Sequence, residues 1–248
     1  MRHATMTATL FVAGLALGCP SSGSSPGQGA EPEKAGAGSQ PGTTKDQTHT
    51  RGEGDHDHAH AEESTGSEPL AIGASAPNSE RKMESVDGVM ASVKSAAKEK
   101  GVLVIFTCNH CPWVKAWQER TVALANAFSD QGVGVIAINS NDPAANAIDG
   151  MEGMQARAEA LGMRYPYVVD EGSLMARAFG ATKTPEFFLF DADLELVYHG
   201  AIDDNAQKPE QVTKTYLHDA LSALVAGQPI TISETKALGC GIKFREPT

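Results

Sequence analysis

No long basic run occurs anywhere in this chain of 248 residues, in which 20 Lys and Arg face 31 Asp and Glu for a formal charge of −11 at pH 7. Without a basic face there is no electrostatic footprint for a phosphate backbone, so nucleic-acid binding drops out. Large apolar side chains are missing from residues 20–69, which contain not one Ile, Val, Leu, Met, Phe, Trp or Tyr. Such a segment cannot bury enough surface to offset its chain entropy, and it forms no core. Cysteine is scarce as well. Four cysteines, at 19, 108, 111 and 240, are too few for a disulfide-stapled scaffold, and their spacing gives them separate tasks. The apolar run from Ala4 to Leu17 is too short to span a bilayer comfortably as a helix.

What is present falls into three parts. Residues 1–19 read as an export signal, with Arg2, the apolar run, and the small residue Gly18 directly before Cys19. The segment Leu15-Ala16-Leu17-Gly18-Cys19 resembles the bacterial lipobox, although Ala16 stands where that pattern prefers Leu. The resemblance implies that Cys19 is acylated and anchors the mature chain in a membrane. Pro20 follows in place of the acidic residue that commonly signals inner-membrane retention, which favours the outer membrane and periplasm. Residues 20–69, rich in Gly, Ser, Pro and Thr with 3 basic and 9 acidic side chains, are expected to be a disordered tether. Its tract Asp55-His56-Asp57-His58-Ala59-His60 reads as solvated polar chain, since an unstructured tract holds no fixed metal geometry. Residues 70–248 have the length of one domain.

Within that domain Val102-Leu103-Val104-Ile105-Phe106 is a continuous apolar run bounded by Gly101 and Cys108, the mark of a strand buried on both faces. Val114, Trp117, Thr121, Leu124 and Phe128 then recur at steps of three and four, which predicts an amphipathic helix ending near Gly132. Val133 to Ile138 predicts a second strand, Met151 to Leu161 a helix, Tyr167 to Val169 a strand and Gly172 to Phe179 a short helix. Phe187 to Phe190 and Leu194 to Tyr198 are strands separated by too few residues for a crossover, hence an antiparallel hairpin. Gln211 to Ala226 is the last predicted helix. The alternation argues for an α/β domain: a mixed central sheet flanked by helices, with a C-terminal hairpin and helix.

Cys108-Asn109-His110-Cys111 falls where the first strand gives way to the first long helix. Two intervening residues at a helix start bring two thiols within disulfide reach, and the free N–H groups there favour thiolate over thiol, an effect expected at Cys108. Pro112 costs little in a first turn, where its missing N–H has no partner to lose. His110 would stabilise the thiolate further if protonated or donating a hydrogen bond. The competing reading of C-x-x-C as half a zinc site lacks a second close pair of ligands.

On these residues the chain resembles the thioredoxin-like redoxins. The matching blocks are Phe106-Thr107-Cys108-Asn109-His110-Cys111-Pro112, Ala137-Ile138-Asn139-Ser140-Asn141-Asp142, Thr184-Pro185-Glu186-Phe187-Phe188-Leu189-Phe190-Asp191, and Gly239-Cys240-Gly241-Ile242-Lys243. The resemblance implies a thioredoxin-like fold and thiol-disulfide exchange without a cofactor or metal, with Cys108 as nucleophile and Cys111 as resolving thiol. The partners it implies are protein thiols and disulfides and an unidentified redox protein. Asn109 and His110 are the variable pair inside the motif. Thr184-Pro185 matches the family's cis-proline position, where the backbone before the proline pairs with substrate. Two departures stand out. Ile105 occupies the place of the buried acid that relays protons in thioredoxins, and no P-x-x-x-T-x-x-C motif supports peroxide reduction by the peroxiredoxin route.

Two further functions compete with disulfide exchange: a copper-binding module using Cys108, Cys111 and a histidine, and a thiol-dependent peroxidase. Cys240 is expected to be buried as a small apolar side chain, with a further resolving thiol as the alternative. His199 is expected at a strand end, half exposed, and Trp113 and Trp117 in packing roles.

Overall fold

The computed structural model describes residues 68–246. Cys19, the export signal and the His-rich tract lie outside the described residues, as does nearly all of the 20–69 segment.

The elements run β1 (Met83–Glu84), β2 (Met90–Ala91), α1 (Val93–Ala96), β3 (Gly101–Phe106), α2 (Pro112–Ser129), β4 (Val133–Asn139), α3 (Met151–Leu161) and β5 (Tyr167–Val169). There follow α4 (Leu174–Phe179), β6 (Lys183–Thr184), β7 (Glu186–Phe190), β8 (Leu196–Gly200), α5 (Tyr216–Ala226) and β9 (Cys240–Gly241). The central sheet has the order β5-β4-β3-β7-β8. β3, β4 and β5 are parallel neighbours, whereas β7 runs antiparallel to both β3 and β8. β1 pairs with β2, and β6 with β9, in two small ribbons.

The continuous apolar run of β3 reflects burial of every residue in it. Val102, Val104 and Phe106 face a cluster with Met175, Ala176 and Phe179 of α4 and Phe188 and Phe190 of β7. Leu103 and Ile105 face the other side, where Trp117, Ala125 and Phe128 of α2 and Leu217 and Leu221 of α5 complete the core. Each fully buried large side chain contributes roughly 1.5–3 kcal/mol relative to exposure. The buried stripe of α2 runs through Val114, Trp117, Val122, Ala125 and Phe128, so Thr121 and Leu124 lie at its margin.

Two helices begin later than the periodicity predicts. α4 starts at Leu174 because Gly172 and Ser173 take left-handed backbone angles (φ 66° and 52°). Its first turn is then capped by the buried Asp170 carboxylate, which accepts the N–H groups of Met175 and Ala176 at 3.0 Å each. α5 starts at Tyr216, not Gln211, since Pro209–Gln211 form a 3-10 turn and Thr213 donates both its N–H and its hydroxyl to Asp204. A local side-chain bond of this kind competes with the helix. With three parallel strands, an antiparallel hairpin and helices on both faces, the fold is thioredoxin-like.

Candidate active site

β3 carries the chain to Thr107, whose N–H extends the ladder to the Ile138 carbonyl at 2.9 Å. Cys108, Asn109 and His110 then turn the chain into α2, with Cys111 as the residue before the helix and Pro112 at its first position. The free N–H groups of the first turn are therefore those of Trp113 and Val114. Val114 donates to Cys111 Sγ and Trp113 to Cys240 Sγ. The helix start thus supports Cys111 and Cys240, whereas Cys108 lies just upstream. This differs from the expectation that Cys108 receives the helix's field.

Cys108 and Cys111 are both buried, at 1% and 0% exposure. Cys108 is hydrogen-bonded to Cys111, which together with burial drives its thiol well above the usual range. The same bond from Cys108 is the largest influence holding Cys111 down to about 4, aided by Cys240 and by the N–H groups of Val114 and Cys240, against burial. The two thiols therefore ionise as a pair that shares one proton. Thr184 touches both sulfurs: its hydroxyl is 3.3 Å from Cys108 Sγ, and its carbonyl oxygen is 3.2 Å from Cys111 Sγ. The Thr184–Pro185 peptide is cis. Glu186 fixes this turn, accepting the N–H groups of Thr182 and Lys183 at 2.9 Å with one oxygen and bonding His199 at 2.8 Å with the other. His199 is consequently buried, in contrast to the half-exposed position expected of it.

The motif's inner pair is held from a loop that nothing in the spacing of the motif announces. His110 Nδ1 bonds one carboxylate oxygen of Asp149, which is fully buried, and the Asn109 N–H bonds the other at 2.6 Å. Asn109 is further fixed by its side-chain amide donating to the Ile148 carbonyl at 2.7 Å, by Tyr167 O–H at 3.1 Å and by Arg157 at its own carbonyl, 2.6 Å away. Asn139 ties the loop down by donating to the Asp149 carbonyl at 3.0 Å. Asp149, Arg157, Tyr167 and Glu186 are the site residues that sequence reasoning missed. Only Glu186 stood inside a block already singled out.

Cys108 Sγ, a His110 ring nitrogen and an Asp149 oxygen lie within 4.8 Å of one another, the grouping among the described residues that could hold a metal. It joins Cys108 to His110 and leaves out His199. A cavity of about 20 Å³, room for about one water, lies beside Cys108 against Thr107, Val114, Gln118, Arg157 and Pro185. Trp117 is buried, its N–H on Asp203 at 2.8 Å, while Trp113 is exposed. Cys240 is only partly buried, and its sulfur is 2.6 Å from that of Cys111.

Among proteins of known structure, the chain is similar to an uncharacterized conserved protein from Geobacillus kaustophilus, at 37% identity and TM-score 0.65, over 71% of this chain and 93% of that one. It is also similar to a hypothetical protein from Sinorhizobium meliloti, at 32% identity and TM-score 0.66, over 71% and 96%. A curated relative, the thiol-disulfide oxidoreductase ResA of Halalkalibacterium halodurans, is 28% identical over 98 residues, 40% of this chain. The match spans 52% of that relative's length. Residues 72–199, a stretch that takes in the dithiol, the Asp149 loop and the Thr184–Pro185 turn, match the family model of AhpC/TSA, and the chain belongs to the AhpC/TSA family.

Proposed function

We propose that this protein is an extracytoplasmic thiol-disulfide oxidoreductase that exchanges disulfides with protein partners through Cys108 and Cys111. The observation that carries this reading is Thr184 touching both sulfurs of the motif, its hydroxyl 3.3 Å from Cys108 Sγ and its carbonyl oxygen 3.2 Å from Cys111 Sγ. Thr184 supports the arrangement in which Cys111 keeps the proton that the pair shares. When Cys111 holds it, the thiol donates to the Thr184 carbonyl, and the Thr184 hydroxyl donates to a Cys108 thiolate. Charge thereby rests on the sulfur that borders the cavity.

The Cys108 thiolate then attacks a partner disulfide; one Cys108–partner bond forms, the partner's S–S bond breaks, and a partner thiolate leaves. Cys111, giving up its proton, attacks Cys108 Sγ and releases the second partner thiolate, leaving a Cys108–Cys111 disulfide. His110, held by Asp149 and with a ring nitrogen within 4.8 Å of Cys108 Sγ, takes up or returns that proton through one water. This supplies what Ile105, in place of the family's strand acid, cannot. The named activity of the ResA relative supports the same chemistry, and the Leu15–Cys19 segment supports export and a lipid anchor.

The test is exchange with a disulfide-bonded peptide by the purified full chain, alongside hydrogen peroxide consumption and metal content. Peptide exchange that is lost in Cys108→Ser and stalls as a mixed disulfide in Cys111→Ser is expected. Peroxide turnover at the rate of a dedicated peroxidase, or a tightly held copper ion with no exchange, would replace this reading. Fatty-acid labelling that disappears in Cys19→Ser is expected of the anchor, and persistent labelling would refute it.

A further inference from the structure

Cys240 is far from the dithiol in sequence, yet it completes a row of three sulfurs. β9 pairs antiparallel with β6 in the register Thr184↔Cys240 and Lys183↔Gly241. The Ile242 N–H extends this ribbon to the Thr182 carbonyl at 3.0 Å. Beyond it the strap is tied down by the Lys243 N–H on Asn141 Oδ1 at 2.9 Å, the Asp142 N–H on the Lys243 carbonyl at 2.7 Å, and the Arg245 N–H on Ser173 Oγ at 2.8 Å. Gly239 is required for the approach, because a Cβ there would lie 2.1 Å from the Thr184 carbonyl oxygen. The strap thus delivers Cys240 Sγ to 2.6 Å from Cys111 Sγ, about 0.5 Å from the roughly 2.05 Å of a disulfide bond.

Burial gives the row a direction. Cys108 and Cys111 are enclosed, whereas Cys240 is partly exposed. Adjacent N–H groups of the same helix start, from Val114 and Trp113, reach Cys111 and Cys240 respectively, so one local field stabilises developing charge on either sulfur. An inert small side chain would account for none of these features together.

We propose that Cys240 is a third redox thiol, which receives the disulfide from Cys108–Cys111 and holds it as Cys111–Cys240 at the surface. The step rests on the thiol-disulfide reading above. The Cys240 thiolate attacks Cys111 Sγ; the Cys111–Cys240 bond forms, the Cys108–Cys111 bond breaks, and Cys108 leaves as a thiolate that takes up the proton Cys240 has lost. No net oxidation occurs. The two-electron oxidation delivered by the first partner has moved outward, and Cys108 is free again. A reducing dithiol protein then meets the disulfide at Cys240.

Trypsin separates the participants, since cleavage after Lys100, Lys115, Lys236 and Lys243 leaves Cys108 and Cys111 on peptide 101–115 and Cys240 on peptide 237–243. The full-length protein is oxidised with glutathione disulfide, quenched in acid, blocked with N-ethylmaleimide, digested and mapped by mass spectrometry. The expected product is 101–115 disulfide-linked to 237–243, with the maleimide on Cys108. A disulfide confined to 101–115, with maleimide on Cys240, overturns the proposal while leaving the exchange reading intact. In Cys108→Ser, which lacks the entry thiol, diamide is expected still to link the two peptides, and loss of the link there also overturns the proposal. A wild-type protein with no disulfide among the three thiols and no peptide exchange overturns both readings.

Discussion

At the scale of single residues, the site is two buried thiols that share one proton. The coupling between them lowers Cys111 and raises Cys108, Thr184 touches both sulfurs, and Cys108 borders the small cavity. The pH dependence follows from that direction. A thiol lowered to about 4 is protonated below that pH and ionised above it, so the reduced protein carries one thiolate across the neutral range. Ultraviolet thiolate absorbance should fall as pH drops through about 4 and stay constant toward neutrality, and Cys111→Ser should abolish this transition. In the reduced protein Cys240, pushed up to about 11 chiefly by burial and then by its bond with and the charge of Cys111, should ionise only in strong alkali; in the Cys108–Cys111 disulfide both contributions of Cys111 are gone and its thiolate forms more readily. Asp149 acts one step back, as a positioning residue for His110. Asp149→Asn keeps the shape but removes the carboxylate that holds the imidazole. We expect the exchange rate to fall, by up to about 100-fold, the lower range of what a positioned proton-transfer group supplies. The accompanying sign of lost proton relay is a flattened pH profile of exchange; an unaltered profile would assign Asp149 a purely structural part.

At the scale of elements, the legible and illegible parts of the site divide by sequence distance. Cys108, Asn109, His110 and Cys111 stand together in one motif, and a strand-to-helix junction announced them. Thr184 and Pro185 were legible through the family resemblance, as its cis-proline position. The acid that holds the motif sits in a loop 40 residues beyond Asn109, one of 31 acidic residues with nothing local to distinguish it. β9 has two residues and no periodicity, so its pairing with β6 could not be read. The expectation of an isolated, apolar Cys240 failed for that reason, because a lone cysteine reveals nothing of the strand it will join. The strap also covers the dithiol, and this yields a test. Gly239→Ala places a methyl group against the Thr184 carbonyl and forces the ribbon apart. Alkylation of Cys108 and Cys111 in the reduced protein should then accelerate severalfold while the far-ultraviolet spectrum is retained. Unchanged rates would mean that the strap does not guard the site.

At the scale of the whole molecule, what could be read was whatever the central sheet dictates. β3, β4 and β7 are buried on both faces and appear as unbroken apolar runs; α3 and β5 begin and end where their patterns do. α5 departs from its pattern where Thr213 binds Asp204, a contact outside any periodicity. The same two-sided burial sets the cost of damage. Phe188 is fully buried in β7, with its ring edge-on to Phe106 at 5.6 Å and to Phe179 at 5.4 Å, and lies against His199. It therefore joins the central strand, the short helix α4 and the neighbouring strand β8. Phe188→Ala removes these contacts and opens a cavity the sheet cannot collapse to fill, a change that costs about 3–5 kcal/mol. Total stabilities of domains are about 5–15 kcal/mol, so this is a large share. The midpoint of denaturant unfolding should fall accordingly with little change in slope, because the surface exposed on unfolding is nearly the same. The dithiol is held by Thr184, Asn109 and the start of α2 and makes no bond to Phe188, so exchange per folded molecule should persist at low temperature. A loss below about 1 kcal/mol would show that this aromatic cluster does not join the strands to α4 as its geometry indicates.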